Sequence, residues 1–291
     1  MAGREDGRRA ATFGLHAMTP DNPRLASEPR RSVFAVRALR EVWRLAVDRA
    51  YRHQKWLRLL RPKGAFQPFN TTRPDRYPRI FRFVQEQLGA GSKIRILSYG
   101  CSTGEEVFSL RRYFPYASIK GIDINPGNIA VCRRRLKQTS DRAITFEVGD
   151  STRAESATVY DAIFCMAVLR HGSLGDPGVR RCDHLIRFED FAKAVGDFER
   201  CLKPGGLLVI RNSNFRLCDS PAAAAFETLL SVPFGARAQR TPIFGPDNCL
   251  MEGAEYPDTV FRKLARLGPS RKHQALGYDG AESALLIWAR P

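Results

Sequence analysis

The chain has 291 residues, 43% of them hydrophobic, and a formal net charge of +17. This is enough for one large α/β domain with an appendage, and the basic excess reads either as a solvated arginine-rich surface or as a match for an acidic partner. No apolar run reaches the roughly 20 residues of a membrane span, no hydrophobic signal core opens the chain, and the seven cysteines lack CxxC or zinc-ligand spacing, so a cytoplasmic protein with core thiols (Cys132, Cys165, Cys201) and no metal is expected.

Residues 1–31 show no periodic pattern. Residues 32–68 read as a basic helical extension: Ser32 is a cap, and Val33, Val36, Val42, Leu45 and Ala46 recur at helical spacing among Arg37, Arg40, Arg44 and Arg49. This helix is expected to pack on the main domain. Pro62, Gly64 and Pro68 end the extension, and a domain follows over 69–291. It begins with a helix, Tyr77–Leu88, closed by Gly89. Strands are then expected at Ile94–Ser98, Ser118–Ile124, Ile144–Val148, Asp161–Val168 and Leu207–Arg211. Helices alternate with them at Glu105–Tyr113, Pro126–Gln138 and Phe188–Cys201. That alternation signals a mostly parallel sheet flanked by helices. Beyond Ser213 a helix near Pro221–Leu230 and a last strand at Ser283–Trp288 are expected.

The chemistry concentrates where the first strand meets its helix, in Ile96-Leu97-Ser98-Tyr99-Gly100-Cys101-Ser102-Thr103-Gly104-Glu105-Glu106. Glycines permit a tight turn that a ligand can approach closely, and the helix start points free amides at it. Three acidic residues follow the ends of successive strands. Glu106 stands beside the turn. Asp123 ends the second strand, placed to accept both ribose hydroxyls, and Asp150 ends the third, within reach of an adenine amino group. The fourth strand runs out through Ala167 and Val168 as a cleft floor. Carboxylates repel a pyrophosphate and the turn is not Gly-x-Gly-x-x-Gly, so a cationic nucleotide fits better than a dinucleotide.

With these residues in view, the core from about Asn70 to Asn214 resembles a class I S-adenosylmethionine-dependent methyltransferase. Cys101-Ser102-Thr103-Gly104-Glu105-Glu106, Asp161-Ala162-Ile163-Phe164-Cys165 and Leu202-Lys203-Pro204-Gly205-Gly206 are similar to the chemotaxis receptor glutamate methyltransferase (CheR-like) family. So is Asn70-x-Thr72-x-x-x-Arg76 before the core. The resemblance implies an α/β, Rossmann-like methyltransferase fold with a helical N-terminal extension, and S-adenosyl-L-methionine as cofactor. On that basis Asn70, Thr72, Arg76, Gly100, Cys101, Ser102, Gly104, Glu106, Asp123, Ile124, Asp150, Ser151, Ala167 and Val168 are expected to bind the cofactor.

The chain departs from that family after the fourth strand, where Met166-Ala167 and then His171 stand in place of Arg-Asn and a tyrosine. The catalytic candidates are Arg76, to hold an anionic acceptor through a forked pair of hydrogen bonds, and His171, as base or donor. A carboxylate acceptor is already ionised and needs no base, whereas a hydroxyl does. Arg170, Arg180, Arg181 and Arg187 form a basic loop, read either as plain surface or as a lid for an acidic substrate. The expected reaction is methyl transfer to a carboxylate or hydroxyl of an acidic small molecule, saccharide or protein. A nucleic-acid methyltransferase is disfavoured, because the Asp/Asn-Pro-Pro-aromatic and Pro-Cys motifs are missing. A non-catalytic cofactor-binding protein is the other alternative. Nothing in the sequence specifies an oligomeric state.

Overall fold

A computed structural model describes residues 30–60, 62, 65–67, 69–70, 72–232, 241–254 and 258–265. The strand expected at Ser283–Trp288 and residues 1–29 of the stretch 1–31, expected to be irregular, lie outside the described residues; Arg30 and Arg31 are helical. The chain divides into two units, 1–44 and 45–291. Helix α1, Arg30–Val47, carries the basic amphipathic pattern. Its apolar side chains Val36, Leu39, Val42 and Trp43 are exposed. Asp48 interrupts the helix and caps the next, its carboxylate accepting the Tyr51 N–H at 2.9 Å. The continuation, α2 (Arg49–Leu60), packs against the sheet domain through α5 (Pro126–Thr139).

The domain begins with α3, Pro78–Leu88. Proline occupies its first turn and Gly89 closes it at φ 79°, the Gly89 N–H returning to the Gln85 carbonyl. Strands β1 (Arg95–Tyr99), β2 (Ser118–Asp123), β3 (Ile144–Val148), β4 (Tyr160–Met166) and β5 (Leu202–Arg211) alternate with α4 (Glu105–Tyr113), α5 and α6 (Phe188–Cys201). The last two strands are β6 (Phe226–Ser231) and β7 (Asp258–Lys263). The seven-stranded sheet has the order β3-β2-β1-β4-β5-β7-β6, parallel as far as β5, with β7 antiparallel between β5 and β6.

The parallel strands read as continuous apolar runs because both faces of the sheet are covered. Ile96, Ala162, Phe164 and Val209 face the layer of α3, α4 and α5, where Phe81, Val84, Val107 and Leu110 are fully buried. Their neighbours Leu97, Ile163, Cys165 and Leu208 turn the other way, onto Phe191, Val195 and Phe198 of α6. This period-two alternation fixes the register.

Two expectations change. The strand expected to start at Leu207 begins at Leu202, directly after α6. Leu202 pairs with Tyr160 and Leu207 with Ala162, so Lys203–Gly206 bulge out, anchored by Lys203 on Asp161 at 2.8 Å. The helix expected at Pro221–Leu230 is a 3-10 turn, Pro221–Ala225, followed by β6. Pairing with β7 outweighs the helical propensity of the alanines.

Candidate active site

The carboxyl ends of β1, β2, β3 and β4 open into one cavity of ≈ 250 Å³. Its lining brings together Asn70, Thr72, Arg76, Gly100, Cys101, Ser102, Glu106, Asp123, Ile124, Asp150, Ala167, Val168 and His171. Two expected residues stand apart from it. Gly104 lies under the turn as the cap of α4, at φ 90°. Ser151 lines an adjoining cavity of ≈ 240 Å³ between the end of β3 and α6.

The glycine turn is tight for a local reason. A Cβ on Gly100, which has φ +70°, would sit 2.5 Å from a Val168 methyl, so only glycine lets β1 pass beside the end of β4. Gly100→Ala is expected to cost about 3 kcal/mol through backbone strain and overpacking. Thermal unfolding should show this as a midpoint lowered by roughly 6–12 °C. Ser102 (φ 51°) and Ala167 (φ 61°) also hold left-handed backbone at the cleft, the kind of strain that is retained where geometry serves a site.

Asp123 organises the turn. One oxygen accepts the Ser102 N–H at 2.8 Å; the other accepts the Asn125 N–H at 2.8 Å and the Asn128 amide at 3.0 Å. Asn128 in turn exchanges amide hydrogen bonds with Asn70, at 2.9 and 3.1 Å. Asn70 from before the core is thus tied through Asn128 to the β2 carboxylate. Asp75 locks the same segment onto α4: its N–H reaches Ser109 Oγ, and its carboxylate accepts Tyr113 OH, both at 2.9 Å.

The two adjacent glutamates have separate roles. Glu105 is held by Arg135 at 2.6 Å and supports the turn from outside. Glu106 is buried in the cleft wall, where Ser98 Oγ donates to it at 2.7 Å. Burial pushes the Glu106 carboxyl up to about 7, partly offset by the Ser98 hydrogen bond and nearby Arg76. Burial likewise raises Asp123, against its three donors. Among the described residues Glu106 forms no ion pair, and Ser102 Oγ is buried without a hydrogen-bond partner. A buried carboxylate without an ion pair, an orphaned hydroxyl and a glycine turn that a Cβ would fill fit a cationic nucleoside such as S-adenosylmethionine.

His171 caps the 3-10 turn Gly172–Gly175. Its Nδ1 accepts the Ser173 N–H at 3.3 Å, and its own N–H donates to Asn214 Oδ1 at 2.7 Å. With Nδ1 accepting, the ring N–H is left to Nε2, which can donate. Three arginines of the basic loop meet carboxylates. Arg180 pairs with Glu252, Arg181 with Asp183 and Arg187 with Asp190, and none of these arginines lines the cavity.

Several site residues escaped the sequence reading. Tyr77 lines the cleft and accepts the Asn212 amide at 3.2 Å; burial raises its phenol. Asn128 and Asn214 are fully buried behind it. The Asn-Pro-Gly-Asn run opening α5 was the available signal for Asn128. Asn214 had none, since its partners are distant in sequence.

A family model described as a methyltransferase domain matches residues 90–245, more than half of the chain. No curated protein matches. Among solved structures the chain is similar to YcgJ from Bacillus subtilis, at 17% identity over 46% of this chain and 50% of that one, TM-score 0.35. It is also similar to Haemonchus contortus phosphoethanolamine N-methyltransferase 2 in complex with S-adenosyl-L-methionine, at 16% identity over 58% and 32%, TM-score 0.38. Geranyl diphosphate C-methyltransferase from Streptomyces coelicolor A3(2) aligns at 17% identity over 46% and 42%, TM-score 0.34. The chain thus spans half or less of the length of each of these structures. On the family match, joined to this sheet and this cleft, the chain belongs to the class I S-adenosylmethionine-dependent methyltransferases.

Proposed function

We propose that the protein transfers the methyl group to an oxygen of an acidic acceptor: the carboxylate or hydroxyl of a small molecule, saccharide or protein side chain. The observation that carries this reading is the division of charge within one cavity. Glu106, Asp123 and Asp150 line the strand ends, while Arg73 and Arg76 line the side formed by the segment before α3. The first set suits a cationic donor and the second an anionic acceptor.

S-adenosylmethionine supplies an already activated methyl carbon, so the residues need chiefly to bind and align. In this reading the turn Gly100-Cys101-Ser102 and Ile124, Ala167 and Val168 shape the donor's bed, with Gly104 and Ser151 supporting it. Asp123 takes the ribose, Glu106 the cationic portion and Asp150 the adenine edge. Asn70 and Thr72 close the near side. Arg76 orients the acceptor's charge. His171, whose Nδ1 is already accepting, acts as a donor to the acceptor and not as a base, which favours a carboxylate over a hydroxyl. The same features support the CheR-like affinity of the motifs, with residues 69–291 as the catalytic domain and 32–68 as an extension.

The test is incubation of the protein with methyl-labelled S-adenosylmethionine and fractionated host extract, with mass analysis of the product. A label lost in mild base is the expected result. A base-stable label would indicate an ether or amine and refute the carboxylate preference.

A further inference from the structure

The cavity continues beyond the donor site to a wall made by α2 and the segment before α3. Leu57, Arg58, Phe66, Gln67 and Phe69 line it. Arg58 sits over the Phe69 ring, 5.0 Å from its centroid. Phe69 meets His171 edge to face, with centroids 6.0 Å apart. Gly172 makes this approach feasible, because a Cβ there would lie 3.1 Å from the Phe69 ring. An arginine from the extension and the histidine after β4 thus share one aromatic ring between them.

Two groups in this wall lack a match. Among the described residues Arg58 has no carboxylate partner. Gln67 Oε1 is buried with no hydrogen-bond partner, 4.0 Å from the position a Gly172 Cβ would take. A buried acceptor atom left unmet costs stability, so it is met by an ordered water or by a bound group that displaces it. Arg58 is exposed and free to take an anion, and Gln67 Oε1 can accept an N–H or O–H donor.

We propose that Arg58, Gln67 and Phe69 form the acceptor-recognition subsite, selecting an acceptor that carries a carboxylate or phosphate beside a hydrogen-bond donor and a flat apolar body. The inference rests on reading the cleft as the methyl-transfer site. Arg58 binds the anion, Gln67 Oε1 accepts the acceptor's N–H or O–H, and Phe69 packs against its body. The subsite would therefore set specificity while leaving the donor pocket to the strand ends. It also gives the extension a function: α2 supplies a second cation, beside Arg76, that reads the acceptor's charge.

The test uses protein saturated with S-adenosylhomocysteine and four small probes in calorimetric or ligand-observed NMR titrations. Hippurate carries a carboxylate, an amide N–H and a ring; hippuramide lacks the charge, and benzoate lacks the amide; phenyl phosphate offers the other anion. Hippurate or phenyl phosphate should bind at least about tenfold more tightly than hippuramide. The tighter of the two identifies the anion. Arg58→Gln should weaken that probe by about tenfold or more, and Arg58→Lys by less. Gln67→Met should weaken hippurate but not benzoate. S-adenosylhomocysteine affinity should stay within about twofold in all three variants. Equal binding of hippurate and hippuramide with no phenyl phosphate binding, no binding by either anion, or unchanged anion binding in Arg58→Gln would overturn the subsite. Failure of wild-type protein to bind S-adenosylhomocysteine would instead overturn the reading of the cleft.

Discussion

Asp123→Ala is expected to weaken S-adenosylmethionine binding by at least about 100-fold, close to 3 kcal/mol. The substitution removes more than a ribose contact. Asp123 is the common acceptor for the Ser102 and Asn125 N–H groups and the Asn128 amide. Without it two backbone donors and an amide at a buried position lose their partner, each at a cost of about 1–3 kcal/mol. The Ser102 turn and the Asn70–Asn128 pair lose their anchor together. Asp123→Asn keeps an acceptor oxygen but adds a donor facing other donors, so an intermediate loss is expected. Calorimetric titration checks the affinity, and thermal unfolding of the same samples separates a lost site from a lost fold. An Asp123→Ala protein that remains folded and titrates like wild type would contradict the account.

The second large effect is a pH dependence carried by Glu106. Its carboxyl is raised to about 7, mainly by burial. Between the ordinary glutamate range and about 7 the folded protein holds a proton that the unfolded chain has released. Folding stability from this group therefore declines as pH rises through that window, by an order of about 3 kcal/mol at most. Buried Asp123, also raised, adds in the same direction. Donor binding has the opposite sign. A cation favours the ionised carboxylate, so affinity should rise with pH up to about 7 and then level off, with a proton released on binding below that point. Glu106→Gln should flatten the profile and abolish the proton release, seen as the dependence of binding heat on buffer ionisation. It should also reduce the preference for the cationic donor over neutral-sulfur S-adenosylhomocysteine. A wild-type affinity independent of pH between 5 and 8 (roughly the window in which such a group titrates) would remove Glu106 from the role.

The parallel core was legible because each strand is covered on both faces and each helix has a local stop or start. Glu105–Tyr113, Ile144–Val148 and Phe188–Cys201 have the bounds read from the sequence. The edge of the sheet was not legible. β7 is a short strand whose identity depends on pairing with β5 and β6, and the alanines before β6 favour a helix locally. The partners of Arg180 and Arg187 were illegible for a related reason. Arginine is read as free until its partner is known, and here Glu252 and Asp190 supply the partners. The acidic lining of the cleft was readable because Asp123 and Asp150 follow strand ends in order and Glu106 follows the first turn. Arg76 and His171 were readable from the motif and its departure after the fourth strand, but Arg58, Gln67 and Tyr77 carried no motif, and Asn214 reaches His171 across 43 residues.

The most direct test of the central claim, that the acidic strand-end cleft holds the methyl donor, is calorimetric titration of the wild-type protein and Glu106→Gln with S-adenosylmethionine at two pH values. The account predicts one-to-one binding by wild type that tightens from about pH 6 to about pH 7.5, and weaker, pH-insensitive binding by the variant. Wild type and variant with the same affinity at both pH values would contradict it.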